Sequence, residues 1–457
     1  MSEVKNDIPV IKTFMHDNKY FMYDTYTNRL FGVAKDQYLE IIQLQKIGLT
    51  KYMDLNKETK PYEDIMMLIN KGLMKKPFIE KIEHPETEYI EHLVDRCIND
   101  ITLQVTRDCN FKCRYCLYAS DNGIDRNHEN LNMSWETAKK SIDFLYSHAF
   151  DTEVITIAFY GGEPLLNFKL IVDVVEYAEK LFYSKKIEYR MTINGSILTD
   201  DIIEFIVKYN FLIVVSLDGP EEIQNRHRKF CESGNDTFKV VYENVKKIKG
   251  KYEDYFNNNV SFMPVVFPDE NYQLMITFFT NLNISEGNIT PLMVDLNGVD
   301  YTESRCVSTY ELEKNKLYNI NKVKDDELYV KLNKIYNKKS IVSPKWHHNG
   351  SCIPAIKRVF VDVKGVFYQC ERIVVHDALS IGDVENGLNM KKVIDFLNIG
   401  KLTESKCKTC WAIRFCEMCI AHCNDVEKNK ISSYQKNIAC DAQENKAIFF
   451  LKQYINL

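Results

Sequence analysis

The chain has 457 residues, with 59 basic and 64 acidic side chains, a formal net charge of -5 and 45% apolar residues. That length calls for several hydrophobic cores, and the near-balanced charge excludes the electrostatic footprint of a general nucleic-acid binder. No apolar run approaches the roughly 20 residues that span a bilayer, and the charged opening "MSEVKNDIPVIK" lacks a secretory pattern. The expectation is a cytoplasmic protein with neither membrane nor nucleic-acid partners, its 14 cysteines kept reduced.

The first elements read as a small separate unit, residues 1–92. "KYFMYDTYTNRLFGV" (Lys19 to Val33) is rich in aromatic and β-branched residues and breaks at Thr27-Asn28, which predicts a hairpin. A helix follows with Tyr38, Ile41 and Ile42 on one face and Gly48 as its stop. A second helix starts at Pro61, turns Ile65, Leu68 and Ile69 inward and ends at Gly72. Hairpin plus helices suits a winged-helix-like module. "EKIEHPETEYIEH" reads as a charged linker.

From 93 to 295, strand patterns alternate with helical ones. The strands are "DITLQVT", "VITIAFY", "IEYRMTI", "FLIVVSL", "VSFMPVV" and a weaker sixth near "NITPLMV". Leu170, Val174, Tyr177, Ala178 and Leu181 form one helical stripe; Ile202, Phe205 and Ile206, after the cap Thr199, form another. Alternation of this kind predicts an α/β fold with a parallel sheet, here a partial (β/α)6 TIM barrel. Such barrels carry function at the C-terminal ends of their strands. "CNFKCRYC" follows the first strand, "GGEP" the second and "NGS" the third, while "SLDGP" closes the fourth. Residues 296–345 read as a polar bridge, and 346–457 as a cysteine-rich domain ending in a helix.

Isolated Cys97, Cys231 and Cys306 read as small buried hydrophobes. The other cysteines form two groups. Cys109, Cys113 and Cys116 can hold three corners of a [4Fe–4S] cluster and leave the fourth iron open; half of a zinc site is the rival reading. With this spacing, and with Tyr115 before the last cysteine, the loop resembles the signature of radical S-adenosylmethionine (SAM) enzymes. The resemblance implies that the open iron binds SAM, which is cleaved reductively to a 5′-deoxyadenosyl radical that abstracts hydrogen. It further implies SAM contacts from Gly161, Gly162 and Glu163 of "GGEP", from Asn194 and Ser216, from Arg228 toward the SAM carboxylate, and from Tyr115 near adenine. For Arg228 a solvated arginine, and for Tyr115 a packing aromatic, are the competing readings.

The second group is Cys352, Cys370, Cys407, Cys410, Cys416, Cys419, Cys423 and Cys440. Cys407-x₂-Cys410-x₅-Cys416 resembles the SPASM extension of peptide-modifying radical SAM enzymes, and Cys352…Gly365-x₄-Cys370 resembles its opening element. Eight cysteines suffice for two auxiliary [4Fe–4S] clusters, three per chain in all. By position Cys407, Cys410, Cys416 and Cys440 belong to an outer cluster, and Cys352 and Cys370 to an inner one. Only two residues separate Cys416 from Cys419, against the usual three, so whether Cys419, Cys423 or both complete the inner cluster stays open.

The resemblance implies a maturase of ribosomally made peptides of the sactipeptide or ranthipeptide kind, forming a thioether between a cysteine sulfur and a carbon. Its partners are a precursor peptide, whose leader the N-terminal module binds by strand addition, and an electron donor such as flavodoxin or ferredoxin. Glu371, next to Cys370, is the candidate base for the incoming cysteine, against a plain salt bridge to Arg372 or a lysine. Alternatives are formylglycine formation on a sulfatase, a carbon–carbon or carbon–oxygen crosslink, and a non-catalytic, zinc-stabilised peptide binder.

Overall fold

The computed structural model of the protein describes residues 7–116, 129–267, 272–293, 343–348, 352–356, 358–373, 376–425 and 428–455. Cys306, and all but the end of the polar bridge, lie outside these residues.

At the N-terminus β1 (Ile11–His16), β2 (Lys19–Asp24) and β3 (Arg29–Val33) form an antiparallel sheet in that order. The expected hairpin is β2–β3, and β1 is an additional strand. A two-residue turn, Asp17-Asn18, joins β1 to β2 with φ of 48° and 58°. Tight hairpins need positive φ at both positions, which Asp and Asn tolerate. Helices α1 (Lys35–Ile47), α2 (Leu49–Met53) and α3 (Lys60–Asn70) follow, and Gly48 ends α1 at φ 87°. Ile41, Leu44, Tyr52, Tyr62 and Ile65 pack with Ile11 and Met22 of the sheet.

The opposite face of the sheet is covered by the C-terminal region. Phe14, Phe21 and Tyr23 share a core with Trp411, Phe415 and Phe450. In the β2–β3 turn, Thr25 Oγ1 donates to the Trp411 carbonyl at 2.8 Å. Arg414 answers, its Nε donating to the Thr25 carbonyl at 2.7 Å and its Nη2 to that of Tyr26 at 3.0 Å.

The stretch read as a charged linker is packed. There β4 (Lys81–Ile82) is followed by a short 3₁₀ turn and α4 (Ile90–Arg96). Buried Glu83 meets Lys345 and Lys81, each at 2.7 Å, and Lys401 at 3.3 Å. Hydrogen bonds from these cations hold its carboxyl well below the usual carboxylate range.

The central region runs β5 (Asp100–Thr106), β6 (Phe111–Cys113), α5 (Trp135–His148), β7 (Val154–Gly161), α6 (Phe168–Leu181), β8 (Lys186–Ile193), α7 (Asp200–Lys208) and β9 (Leu212–Val215). Next come α8 (Glu221–His227), β10 (Arg228–Phe230), α9 (Phe238–Lys251), α10 (Glu253–Asn259), β11 (Val260–Phe262), β12 (Val265–Val266), α11 (Tyr272–Asn281) and β13 (Leu292–Met293). Strands β5, β7, β8, β9 and β11 lie side by side in parallel. The fifth expected strand breaks at Met263-Pro264, and its second piece, β12, pairs in parallel with β13. Ile157, Phe159, Met191 and Ile213 are buried with Ile142, Val174, Ala178 and Ile203 of the helices. Alternate positions such as Thr102, Gln104, Arg190 and Thr192 turn to the other face.

The C-terminal region comprises β14 (Lys345–Trp346), β15 (Val359–Val361), β16 (Val366–Tyr368), β17 (Gly382–Asp383), β18 (Gly387–Leu388), α12 (Met390–Leu397), α13 (Glu404–Lys408), β19 (Asn424–Asp425), β20 (Lys430–Ile431) and α14 (Ser433–Ile455). It is not a separate layer. Strand β15 adds in parallel to β5, and β16 to β18 continue antiparallel, giving one nine-stranded sheet with two ends, so the barrel is open. At its start β14 pairs in parallel with β4. Among the described residues no helix is long and apolar enough to cross a membrane.

Candidate active site

The three-cysteine loop leaves the C-terminal end of β5. Its middle is a strand, β6, paired antiparallel with β10 so that Cys113 lies opposite Arg228. The Arg114 N–H donates to the His227 carbonyl at 2.9 Å, and the Phe111 N–H donates to Cys109 Sγ at 3.4 Å. The "GGEP" turn presses onto the same backbone: Gly162 N–H donates to Thr106 O at 3.2 Å and Glu163 N–H to Asp108 O at 2.9 Å. A β-carbon on Gly161 would stand 2.2 Å from Thr106 O, and one on Gly162 2.2 Å from Asp108 O. Only glycine permits that approach.

Cys113 is buried and Cys109 and Cys116 half-buried, all as free thiols. Burial pushes the Cys109 thiol up, and pushes Cys113 up to about 12 against the lowering influence of Arg228. Neutral water leaves such thiols protonated, so metal binding here releases protons. Three clustered thiols beside a cradle that a β-carbon would fill fit a cluster with one open corner.

The residues expected to contact SAM are gathered at this end of the sheet, with their polar atoms largely engaged. Glu163 is wholly buried; its Oε1 accepts from Leu165 N at 3.1 Å and its Oε2 from Asn194 N at 2.6 Å. Burial raises its carboxyl to about 7. It therefore ties the "GGEP" turn to the end of β8. Asn194 Nδ2 donates to Asn110 Oδ1 at 2.7 Å, and Asn194 Oδ1 accepts from Ser196 Oγ at 2.7 Å. Asn110 and Ser196 were not anticipated, although both lie inside the quoted motifs. Ser216 sits half-buried just past β9.

Arg228 is buried rather than solvated. Its Nε and Nη2 donate to Asp218 Oδ2 and Oδ1 at 2.8 and 2.9 Å, with both side chains buried. Tyr115 O–H also donates to Asp218, at 3.0 Å, and its ring lies 5.1 Å under the Arg228 guanidinium. Val265 N–H donates to Asp218 Oδ1 at 2.9 Å. The solvated reading of Arg228 fails, and the residue is one half of a buried pair bracing the cysteine loop. Asp218 is the residue that sequence reasoning missed; it stands within "SLDGP".

The C-terminal cysteines fall into two sets. Gly365, at φ 88°, turns the β15–β16 hairpin, which brings Cys352 and Cys370 to the same open end, where Gln369 Nε2 donates to the Cys352 carbonyl at 3.2 Å. Cys370 and Cys419 lie within electrostatic reach of each other and of Cys352. Cys407, Cys410, Cys416 and Cys440 line one cavity together with Ala412, Ile413 and Met418. Cys423 is buried, its thiol donates to the Cys419 carbonyl at 3.6 Å, and Cys419, Cys440 and Cys407 all lie within its electrostatic reach. Burial pushes the Cys370, Cys416 and Cys423 thiols up to about 12. Among the described residues no three His, Cys, Asp or Glu side chains converge on a single metal ion; Cys407, Cys410, Cys416 and Cys440 instead line a cavity. Of the isolated cysteines, Cys97 is half-buried and Cys231 exposed, so the buried-hydrophobe reading fails for Cys231.

Glu371 forms salt bridges, a close one with Arg358 and a longer one with Arg372. Arg358 Nη1 donates to both carboxylate oxygens at 2.9 and 2.8 Å, whereas Arg372 Nε is 3.9 Å away. Arg358 Nε also lies 3.5 Å from Asp100, the first residue of β5. The cysteine loop leaves the other end of that strand, about 20 Å away at ~3.3 Å per residue. Glu371 thus sits beside the inner thiol Cys370, held by an ion pair to Arg358.

The Radical SAM superfamily matches residues 103–279. Radical SAM cyclopropyl synthase TigE of Paramaledivibacter caminithermalis is 25% identical over 370 residues, 75% of this chain and 72% of that protein. A cysteine-type anaerobic sulfatase-maturating enzyme of Clostridium perfringens is 25% identical over 377 residues, 76% of this chain and 95% of the relative. The solved structure of native anSMEcpe with bound AdoMet shares the fold, with a TM-score of 0.57 at 21% identity over 79% of this chain and 98% of that one. Enzymes of the family bind SAM and a [4Fe–4S] cluster, and the chain carries a radical SAM domain over residues 103–279.

Proposed function

We propose that the protein cleaves SAM reductively and uses the radical to install a thioether in a ribosomally made precursor peptide. The observation that carries the radical chemistry is the three-thiol loop locked onto Gly161 and Gly162. When bound there, a [4Fe–4S] cluster supplies the electron that splits SAM into methionine and the 5′-deoxyadenosyl radical. Cys109, Cys113 and Cys116 are its ligands, and the Asp218–Arg228 pair fixes the strand that carries Cys113.

The C-terminal region is read as a SPASM-type domain with two auxiliary [4Fe–4S] clusters. Three thiols, Cys352, Cys370 and Cys419, are read as the inner ligands, and Cys423, whose thiol meets the Cys419 carbonyl at 3.6 Å, is assigned to neither set. That leaves one inner position for a substrate thiolate, which favours sulfur-to-carbon bonding. In the balanced reaction, a substrate C–H gives its hydrogen to the 5′-deoxyadenosyl radical. The S–H then loses a proton as the C–S bond forms, and one electron is released, which clusters held by the C-terminal cysteines would pass to the oxidised form of a carrier protein such as flavodoxin or ferredoxin. The sheet β1–β3 with α1–α3 is read as a winged-helix-like module that takes the leader as an added strand.

A second reading is a carbon–carbon bond, favoured by the likeness to the cyclopropyl synthase over 75% of the chain. One experiment separates the two. The anaerobically reconstituted enzyme is given SAM, dithionite and the peptide encoded by a neighbouring short reading frame. Loss of two hydrogens with one cysteine no longer alkylated by iodoacetamide supports the thioether. The same loss with every cysteine still alkylated supports the carbon–carbon bond. Absence of 5′-deoxyadenosine, or its persistence after Cys109, Cys113 and Cys116 are all replaced by Ala, removes the proposal altogether.

A further inference from the structure

The most unusual buried group outside the radical-generating loop is Lys436, in the first turn of α14. Its side chain is only 1% exposed. Lysine is almost never buried to that degree unless its charge is met. Among the described residues, no carboxylate forms an ion pair with it. Its Nζ instead donates to Thr403 Oγ1, to Cys407 Sγ at 3.4 Å and to the Gly400 carbonyl at 3.5 Å. It lines the cavity of Cys407, Cys410, Cys416 and Cys440, alongside Lys406 and Glu444. Cys440 follows it by four residues on α14, hence on the same helix face. Cys416, Cys423 and Cys440 all lie within its electrostatic reach.

A desolvated ammonium surrounded by thiols makes physical sense when those thiols are thiolates around a centre of net negative charge. Hydrogen bonds to ligand sulfur and local charge are what set the potential of iron–sulfur sites. We infer that Lys436 is a positioning residue for electron transfer: its N–H···S bond to Cys407 and its charge raise the reduction potential of the outer four-cysteine site. Electrons released at the substrate then run outward, away from the inner thiols, because added negative charge is stabilised at the outer site. The inference rests on the outer-cluster reading above.

The test is a redox titration, followed by electron paramagnetic resonance, of the full-length, anaerobically reconstituted enzyme and three variants. Lys436→Met removes charge and donor; Lys436→Gln keeps a donor without charge; Lys436→Arg keeps both. The Met and Gln forms should retain wild-type iron. At a poise fixed at the wild-type midpoint, their reduced-to-oxidised ratio for the outer site should fall at least tenfold, equivalent to 59 mV for one electron. Lys436→Arg should stay within a few-fold of wild type. Unchanged ratios in Met and Gln overturn the inference. Should Met fail to hold iron, Gln decides; iron lost from Gln and Arg as well makes Lys436 a packing residue and also overturns it. Cys407→Ala with Cys410→Ala is the separate control. If that variant leaves the spectrum and iron content unchanged, the outer-cluster reading itself fails and the inference falls with it, a result distinct from unchanged ratios at an intact outer site.

Discussion

Gly162 lies so close to the backbone of Asp108 that a β-carbon there would stand 2.2 Å from the Asp108 carbonyl oxygen. Backbone cannot swing aside as a long side chain can, so Gly162→Ala must displace the segment that carries Cys109. Small displacements of a reacting constellation can cost about 10²-fold in rate. The variant is expected to lose at least that factor in 5′-deoxyadenosine formation. Iron content should fall by about the four irons of one cubane, as iron assay with product chromatography would record.

The Asp218–Arg228 pair makes a prediction about stability rather than affinity. Asp218→Asn leaves a buried guanidinium without its counter-charge, which costs about 3–5 kcal/mol. Thermal denaturation of the apo protein should show the loss. Arg228→Lys should restore little of it, because an ammonium cannot reproduce the two-pronged contact. A SAM carboxylate clamp would instead raise KM for SAM and leave the melting temperature unchanged.

Glu163 brings a pH dependence. Its folded carboxyl is raised from 4.5 to about 7 by burial. The protonated form is therefore favoured in the fold, and stability from this group is full below about pH 4.5 and is lost as pH rises through 7. The total is about 3 kcal/mol. Glu163→Gln cannot ionise, so its chemical-denaturation stability should lack that decline. The variant should be less stable than wild type at low pH, where a backbone N–H loses its acceptor, and the gap should narrow toward pH 8.

For Glu371 the expected effect is structural. Glu371→Gln weakens the contact with Arg358, which keeps Asp100 nearby, so a loss of about 1–3 kcal/mol is expected. SAM cleavage and peptide modification should both persist at rates within a few-fold of wild type. A fall of 10² or more in product alone, with iron and melting temperature intact, would return the residue to acid–base chemistry.

The β/α units were legible because each strand is a short apolar, β-branched run and each helix carries local punctuation. Thr199, for instance, caps α7 by accepting from Ile202 N–H at 3.4 Å. The cysteine loop and "GGEP" were legible for the same reason: their chemistry is local in sequence. What stayed hidden depends on distant partners. Glu83 reads as part of a solvated charge run until Lys345 and Lys401 arrive from the far end of the chain. Lys436 is one of many lysines until folding places it against Cys407, 29 residues away. The Asp17-Asn18 turn is different: its signal was present and local, and "HDNK" marks a tight hairpin as clearly as the turn that was recognised.

The grip of Arg414 on the Thr25 and Tyr26 carbonyls bears on how enzymes of this build can be recombined. An N-terminal module that merely hung from a tether could be traded between enzymes by cutting near residue 92, without disturbing the rest of the chain. Here such a cut would strand a guanidinium facing no acceptor and uncover Trp411, Phe415 and Phe450. The β2–β3 turn and the segment between Cys410 and Cys416 therefore form one heritable unit, although some 390 positions apart in the chain. Chimeras that exchange both pieces together should fold with a full iron complement, whereas those that exchange the module alone should lose iron first from the four cysteines lining the cavity beside that segment.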